Sequence, residues 1–343
     1  MIKHYIVAAT CLPLFFLINF YFISIKKFLN IYDIPDHKRK IHHKKIPLIG
    51  GLIIFFFFIY FLFIDFILLD QNTFIFFEKY NFFFEFIISS SALFLIGLID
   101  DKLVLSSSKK IFLYSFIIAI TLIINNHLII ENINSQFLKK NINLGSFSYL
   151  FTILAILLFL ISLNMLDGVN MMSASYIIFF LIILFLKFNY IFIFLYLIFI
   201  LLFFLYLNYK NKTFMGESGI IFLGYILSYF VIIAYKEKRI DNVEEVFLMM
   251  AIPGFDLLRV SLVRLITLKS PLSPDNNHIH HRLLKSFRST QVVIIILSII
   301  VLPYSLFLIY QNILFSIILS LSLYFFTVFI LPSTKLNFLN KLK

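Results

Sequence analysis

The chain has 343 residues, of which 62% are hydrophobic and only 13% are charged, and its mean hydropathy is +1.01. Soluble chains carry about 25% charged residues, so this composition excludes a soluble globular domain. Long, continuously apolar runs indicate an all-α polytopic membrane protein, whereas the strands of a β-barrel would be short and alternating. We interpret the formal net charge of +12 as an orientation signal and expect no nucleic-acid partner. The single cysteine, Cys11, excludes a disulfide framework.

We predict eleven transmembrane helices, at roughly 5–25, 48–69, 82–99, 111–130, 149–163, 171–186, 190–207, 220–235, 246–258, 291–310 and 312–331. For the ninth, a tilted or broken continuation through Leu268 is an alternative. Most Lys and Arg residues fall on one side if the N-terminus is periplasmic and the C-terminus cytoplasmic, as the positive-inside rule requires. We therefore predict one transmembrane domain, 1–343, with cytoplasmic loops at 26–51, 100–110, 164–172, 208–219 and 259–290.

The first cytoplasmic loop is dense in cations, including Lys44, and ends in Pro47 and Gly50-Gly51. Such cations bind phosphate, or they anchor the loop to anionic lipid headgroups. The two glycines predict a close backbone approach, and the start of the next helix favours an anion.

Asp100 and Asp101 follow directly after an apolar run. Two carboxylates at the mouth of a membrane helix need a cation or hydrogen-bond donors to stay ionised. Paired carboxylates hold a divalent cation or accept a proton, while the alternative is a solvated signal that ends the helix. Lys109 and Lys110 compete as partners of phosphate oxygens, and the serines at 106–108 are candidate helix caps.

Two further loops carry acidic and amide side chains. Asn164, Asp167 and Asn170 are spaced by three, so on a helical turn they would share one face. A simple turn at Asp167-Gly168 is the alternative. Glu217, between two glycines, is either a metal ligand or a charge that complements a helix N-terminus.

The last cytoplasmic loop contains Ser273-Pro274-Asp275 and three histidines, His278, His280 and His281. Three histidines in four positions are rarely needed for packing. Zinc is one interpretation, but no cysteine is nearby and the carboxylates suit Mg²⁺ better. Histidine and arginine donors around a diphosphate are the interpretation that we favour.

Taken together, five segments of the chain resemble the polyprenyl-phosphate N-acetylhexosamine-1-phosphate transferase family, and they occur in the order in which that family has them. The segments are Pro47 to Gly51, Asp100-Asp101, Asn164 to Gly168, Phe214 to Gly219 and Ser273 to His281. The resemblance spans nearly the whole chain. It implies transfer of a sugar-1-phosphate from a UDP-N-acetylhexosamine to undecaprenyl phosphate at a bacterial inner membrane, with release of UMP. It also implies Mg²⁺, with Mn²⁺ as an alternative, and it leaves a homodimer open because dimers occur in relatives.

The resemblance also implies residue roles. Asp100 and Asp101 would lie at the lipid phosphate, with Asp100 accepting its proton, while Asp101, Asp167 and Glu217 would be near the metal. Asp167 and His280 would be catalytic. The implied substrate contacts are Lys44, Lys110, Asn164, Asn170, Phe214 (on the uracil), His278, His281 and Arg282.

Two positions depart from the family, which normally has Asp where this chain has Glu217 and Asn170. These departures leave an altered donor specificity as an alternative. The sequence does not name the sugar, and GlcNAc, GalNAc, FucNAc and QuiNAc donors are all open. The competing hypothesis is a transporter or flippase for an anionic substrate. Transporters place ionisable residues near the middle of the membrane. Among the acidic residues here, only Asp65, Glu85 and Asp256 lie within or at the edges of predicted helices, and the polar clusters lie at one surface. This distribution favours chemistry at the membrane surface over transport.

Overall fold

A computed structural model describes residues 21, 24, 26, 27, 29–35, 45–68, 82–188, 192–270 and 276–331, and of 65–68 the backbone alone. The chain divides into two compact units. The first joins Met1–Ile129 with Ile177–Ala234, and the second joins Ile130–Tyr176 with Tyr235–Lys343. That the whole chain forms a single transmembrane domain stays a prediction.

The described chain is largely α-helical. Its helices are α1 (Gly50–Leu68), α2 (Phe83–Leu103), α3 (Ser107–Ile124), α4 (Ser148–Leu166), α5 (Met172–Lys187), α6 (Phe192–Tyr209), α7 (Gly216–Lys236), α8 (Val243–Met249), α9 (Ala251–Ile266), α10 (Ile279–Leu284), α11 (Ser289–Tyr310) and α12 (Ile313–Phe325). A π-helical turn, Phe326–Ile330, follows α12, and 3₁₀ turns lie at Asn126–Leu128 and Gly145–Phe147. Two antiparallel strand pairs are β1 (Tyr32–Asp33) with β2 (Ile46–Pro47), and β3 (Asn132–Ser135) with β4 (Lys140–Asn143).

Helices occupy each of the predicted spans from the second to the eleventh. Seven helices of the described chain are long and apolar enough to cross a membrane, or up to eight if α8 and α9 form one bent span, while α1 and α5 provide shorter apolar helices. The chain is thus a multi-pass membrane protein. The count of eleven and the orientation of the termini stay predictions, and most of the first predicted span lies outside the described residues.

The first unit is built around α7, which is buried along nearly its whole length. A helix that is apolar on all sides is typical of the interior of a helical bundle. Phe222 meets the rings of Phe58 and Phe94 edge-on, at centroid distances of 5.5 and 6.0 Å. Phe230 meets Phe86 and Phe194 in the same way, at 5.9 and 4.9 Å. These edge-to-face contacts fix α7 against α1, α2 and α6.

The ninth predicted span is broken. α8 and α9 meet at Met250 with a bend of 76°. Pro253 lies in the first turn of α9, where it lacks an N–H and its ring conflicts with the carbonyl four residues earlier, at Met249. The alternative of a broken helix is therefore confirmed, and its second part ends at Ile266.

The β3–β4 hairpin was not predicted. Its turn is held by Glu244 at the start of α8, whose carboxylate accepts the Ser135 hydroxyl at 2.5 Å and the N–H groups of Gln136 and Phe137 at 3.2 Å each. Four-residue strands with few apolar residues give too short an alternation to indicate a sheet.

Candidate active site

The carboxylate of Asp100 closes the turn between α2 and α3. α2 continues to Leu103, so the Asp pair lies in its last turn and not beyond its end. Val104 follows in the left-handed region, with φ of 51°. Asp100 Oδ1 accepts the N–H of Leu105 at 2.6 Å, and Oδ2 accepts a hydrogen bond from Lys110 Nζ at 2.8 Å. Asp100 is buried, so the alternative of a solvated stop signal is wrong for this residue.

The ammonium of Lys110 links two carboxylates from different helices. Its Nζ lies 2.8 Å from Asp100 Oδ2 and 2.8 Å from Glu217 Oε2. The other oxygen of Glu217, Oε1, accepts the hydroxyl of Tyr114 at 3.1 Å. Lys109, the competing candidate, is exposed. The structure therefore makes Lys110 the lysine of this cluster.

Asp101 binds the N-terminus of α7. Its Oδ1 accepts the N–H of Glu217 at 2.7 Å, and its Oδ2 accepts both the N–H and the hydroxyl of Ser218, at 3.1 and 2.7 Å. The first N–H groups of a helix have no partner within the helix and favour a negative charge. Gly216 makes this approach possible, because it has φ of +73° and a Cβ there would lie 2.6 Å from Asp101 Oδ2. Asp101 thus positions Glu217, and as a metal ligand it would use its remaining lone pairs.

The N-terminus of α1 packs against the segment that leads into α7. Gly50 and Gly51 donate their N–H groups to the carbonyls of Phe214 and Met215, at 2.9 and 2.8 Å. A Cβ on Gly51 would lie 2.4 Å from the backbone nitrogen of Gly219. The predicted close backbone approach is confirmed. The prediction of an anion at this helix N-terminus is wrong, because these two N–H groups already bind carbonyls.

In the second unit, Asp167 connects α4 to α5. α4 ends at Leu166, and the carboxylate of Asp167 accepts the hydroxyl of Ser173 in the first turn of α5. Asn170 consequently lies in a turn. The prediction that Asn164, Asp167 and Asn170 share one helical face is wrong for this reason.

The ring of His280 packs directly on Gly168. A Cβ on Gly168 would lie 2.0 Å from His280 Nε2, so no other residue type fits there without displacing the ring. His280 is 2% exposed, and its Nδ1 has no hydrogen-bond partner among the described residues. Burial, together with the nearby His281 and His278, lowers the pKa of His280 from 6.5 to about 3. The ring is therefore neutral at neutral pH, with a buried nitrogen that a ligand can satisfy.

Asp256 on α9 gathers donors from the histidine segment and from α12. Its Oδ1 accepts hydrogen bonds from Arg259 Nη2 at 2.7 Å, from the Tyr324 hydroxyl at 3.0 Å and from the N–H of Ile279 at 3.1 Å. Its Oδ2 lies 2.8 Å from His278 Nδ1. We assigned Asp256 no role from the sequence. The available signal was an Asp and an Arg three residues apart on one helix.

Both ring nitrogens of His278 contact protein groups. Nδ1 faces Asp256, and Nε2 lies 3.4 Å from Arg264 Nη2. These contacts favour a role in which His278 holds the histidine segment on α9. Arg282 also contacts the protein, because its guanidinium donates to the Val328 carbonyl at 3.2 Å and lies 5.2 Å from the ring centroid of Phe329.

The structure groups the predicted site residues by unit. The first unit holds Asp100, Asp101, Lys110, Phe214 and Glu217, and the second holds Asn164, Asp167, Asn170, His278, His280, His281 and Arg282. Lys44 and the Ser273-Pro274-Asp275 motif lie outside the described residues. That both groups converge on one nucleotide stays a prediction.

The residues of the first unit fit a divalent cation. Among the described residues, the carboxylates of Asp100 and Glu217 share the ammonium of Lys110, so negative charge is in excess, while Asp101 binds the backbone N–H of Glu217. Oxygen ligands suit Mg²⁺, which typically uses one or two carboxylates together with substrate phosphates and waters. Asp100 Oδ2 and Glu217 Oε2 face one common point, because both contact the same Lys110 nitrogen. Within the described ranges, no group of three or more His, Cys, Asp or Glu side chains is placed to hold a metal ion by itself, so oxygens of substrate and water would complete the coordination of an ion here.

Comparison with known proteins gives one family and several bacterial relatives. The model of glycosyl transferase family 4 matches residues 83–235. A Bacillus subtilis (strain 168) protein, named as a probable undecaprenyl-phosphate N-acetylglucosaminyl 1-phosphate transferase, is 27% identical over 81% of this chain and 76% of its own length. Proteins of Yersinia pestis and Escherichia coli (strain K12), both named undecaprenyl-phosphate alpha-N-acetylglucosaminyl 1-phosphate transferase, are 24% and 25% identical. They match 80% and 81% of this chain over 74% and 76% of their own lengths. The family model thus matches the part of the chain from α2 to near the end of α7, and the named transferases are similar to this chain over most of its length.

Proposed function

We propose that this protein transfers an N-acetylhexosamine-1-phosphate from a UDP-sugar to undecaprenyl phosphate at the cytoplasmic face of the bacterial inner membrane. UMP would be released and a lipid-linked envelope glycan begun. The observation that carries the proposal is the cluster of the buried Asp100 with the partly buried Lys110 and Glu217, at the ends of apolar helices. A cluster with excess negative charge in that position needs a cation. The similarity of the chain to glycosyl transferase family 4 and to named sugar-phosphate transferases supports a sugar-phosphate transfer as the reaction that the cation would serve.

In this reaction an oxygen of the lipid phosphate attacks the phosphorus that bears the sugar. A new P–O bond forms while the bond from that phosphorus to the UMP oxygen breaks, so UMP leaves with the electron pair and the lipid keeps the sugar as a diphosphate. The two phosphates repel each other. Positioning and electrostatic stabilisation are the main means by which proteins lower such a barrier.

The first unit supplies groups for both needs. Lys110 would turn from its carboxylates to the phosphate oxygens, and Asp100 would accept the proton of a monoanionic lipid phosphate. Glu217 would hold Mg²⁺, or Mn²⁺, with Asp101 and Asp167 as further proposed ligands. When bound, the ion neutralises phosphate charge. Phe214 would stack on the uracil.

The second unit would hold the diphosphate. The neutral ring of His280 offers its buried Nδ1, which has no hydrogen-bond partner within the described ranges. His281, Asn164, Asn170 and Arg282 are proposed to bind the sugar nucleotide around it.

The test is a reconstituted reaction. Purified protein is incubated with Mg²⁺, undecaprenyl phosphate and a panel of UDP-N-acetylhexosamines, and both UMP and lipid-linked sugar are measured. We expect UMP release with at least one donor, UDP-GlcNAc first among them, and its loss with EDTA, in Asp100→Asn and in Glu217→Gln. No UMP from any donor, with folded protein, would refute the proposal and leave the transporter hypothesis ahead. The relatives described above give that hypothesis no support, and a homodimer stays a prediction.

A further inference from the structure

Tyr114 contributes an uncharged hydroxyl to the cluster around Lys110. It lies four residues after Lys110 on α3, so both side chains project from one face of the helix. Tyr114 is 3% exposed, and its hydroxyl donates to Glu217 Oε1 at 3.1 Å. The other oxygen, Oε2, accepts from Lys110 at 2.8 Å. The two carboxylate oxygens of Glu217 therefore have different partners from the same helix.

Lys110 alone would not fix the Glu217 carboxylate. Its two oxygens are chemically equivalent, the terminal torsion of a glutamate is broad and roughly two-fold, and either oxygen could accept from the ammonium. A second donor on Oε1 selects one orientation, and each oxygen keeps a further lone pair for another ligand.

We propose that Tyr114 is a positioning residue, whose hydroxyl fixes the Glu217 carboxylate with Oε2 facing Lys110 and Asp100. This inference rests on the proposed function, because that common point is where the phosphates and their Mg²⁺ would bind. Residues that orient a metal ligand in this way control metal affinity and rate without touching the metal themselves.

A buried tyrosine also needs a hydrogen-bond partner for stability alone, so the test needs a matched control. Tyr225 on α7 is 1% exposed, and its hydroxyl lies 2.8 Å from Ser89 Oγ and 3.5 Å from Glu85 Oε1. Tyr225→Phe removes the same hydroxyl from the same unit, beside a glutamate that the proposed reaction does not use.

The experiment compares Tyr114→Phe, Tyr225→Phe, Glu217→Asp and the Tyr114→Phe/Glu217→Asp double variant of the full chain. The kcat, the KM for undecaprenyl phosphate, the half-saturating Mg²⁺ concentration and the Tm with and without MgCl₂ are measured. In Tyr114→Phe we expect kcat to fall about 10-fold and the half-saturating Mg²⁺ concentration to rise about 10-fold, the lower range for residues behind a metal ligand. The KM for the lipid is expected to stay unchanged. Tyr225→Phe is expected to lower the Tm comparably and to leave kcat and Mg²⁺ dependence as in the wild type.

The double variant tests the contact itself. Aspartate at position 217 is one methylene shorter and does not reach the hydroxyl, so Tyr114→Phe should change kcat less than 2-fold in that background. Additive effects would overturn the proposal, because contacting residues that act together are not additive. A wild-type kcat and Mg²⁺ dependence in Tyr114→Phe would also overturn it.

One readout is independent of the reaction. If the wild type transfers no sugar phosphate, the proposed function fails, and the Mg²⁺-induced rise in Tm then decides the case of Tyr114. The proposal stands if this rise is lost in Tyr114→Phe and kept in Tyr225→Phe. It is overturned if both variants behave alike or if the wild type shows no rise.

Discussion

Residues of α2, α3 and α7 form two polar clusters in the first unit. The clusters differ in the groups that donate hydrogen bonds to a buried carboxylate. The lysine cluster consists of Asp100, Asp101, Lys110, Tyr114 and Glu217. The tyrosine cluster consists of Glu85, Ser89, Asn125, Tyr225 and Tyr229, where Asn125 directly follows α3. Glu85 and Asp100 are fifteen positions apart on α2, which corresponds to about 22 Å along a helix.

The tyrosine cluster supplies its carboxylate with neutral donors. Glu85 Oε2 accepts from Asn125 Nδ2 at 3.0 Å and from the Tyr229 hydroxyl at 3.3 Å. Glu85 Oε1 accepts from Ser89 Oγ at 3.2 Å and lies 3.5 Å from the Tyr225 hydroxyl. In the described part of the chain, Glu85 makes no salt bridge.

This difference separates a structural cluster from a site. Hydroxyl and amide donors match the acceptor capacity of one carboxyl and need nothing from outside. In the lysine cluster the carboxylates of Asp100 and Glu217 share the ammonium of Lys110, and the excess negative charge is a reason to bind a cation with its phosphates. We therefore expect the loss of a charge to be tolerated in the tyrosine cluster and to impair activity in the lysine cluster.

The largest expected effect is that of Lys110→Met. It leaves the buried Asp100 and the partly buried Glu217 without a countercharge, and breaking a buried ion pair costs about 3–5 kcal/mol. It should also lower UMP release about 100-fold or more, as loss of an electrostatic donor to the reacting group does. UMP release and thermal unfolding in detergent measure the two effects.

Lys109→Met is the matched control, because Lys109 is the exposed neighbour. It should change UMP release less than about 2-fold, in keeping with the small value of exposed charges. Equal losses in both variants would remove the distinction between the partly buried Lys110 and its exposed neighbour. Lys110→Arg, which retains the charge, should unfold close to the wild type.

A second substitution moves the lysine cluster without changing its charge. A Cβ on Gly97 would lie 2.5 Å from the Cα of Ser218, so Gly97→Ala should push α2 away from the start of α7. We expect a loss of about 1–3 kcal/mol, as for other overpacked sites, and a lower kcat because Glu217 moves with Ser218.

Gly254→Ala is its control. A Cβ there meets nothing within 4 Å, and the residue lies in α9, where alanine favours the helix by about 1 kcal/mol over glycine. We therefore expect Gly254→Ala to be neutral or stabilising in thermal unfolding. A kcat unchanged in Gly97→Ala would show that the lysine cluster tolerates displacement.

His280 shows a third response to burial, which is to stay neutral. Its pKa is lowered to about 3 from 6.5, so between these values the unfolded chain binds more protons than the folded one. Folding stability should therefore fall as pH drops below about 6.5, with a slope of up to about 1.4 kcal/mol per pH unit from this group. His280→Gln should flatten the dependence of Tm on pH between 7.5 and 5. His127→Gln, at an exposed histidine, should retain it, and the same slope in all three proteins would contradict the assignment.

The sequence predicted what depends on neighbours along the chain. Helix positions followed from apolar runs, and the carboxylates at Asp100 and Glu217 stood out because charge at the end of an apolar helix is costly. The sequence did not indicate a role for Tyr114, because a tyrosine in an apolar helix is common. Its proposed role depends on its contact with Glu217, which lies 103 positions away along the chain.

Long-range contacts also explain the predictions that failed. The N–H groups of Gly50 and Gly51 looked available for an anion, but carbonyls of a segment more than 160 residues later bind them. From the sequence, Asp256 was only a charge at the edge of a predicted span. In the structure its carboxylate binds Tyr324 and His278, which lie far from it along the chain. Local sequence carries no record of such partners.

The smallest expected effect is the sharpest test of the comparison, because it makes one chemical change in both clusters. Glu85→Gln keeps the shape of the side chain and one carbonyl acceptor, and its new amide can face phenol oxygens or Asn125 Oδ1, which lacks a partner in the described structure. We expect a stability change of about 1 kcal/mol, the value of one neutral hydrogen bond, and UMP release within about 2-fold of the wild type. Glu217→Gln makes the same exchange beside Lys110 and should abolish UMP release. If Glu85→Gln is as inactive as Glu217→Gln, the tyrosine cluster takes part in the reaction, and neutral donors are not the mark of a structural cluster in this fold.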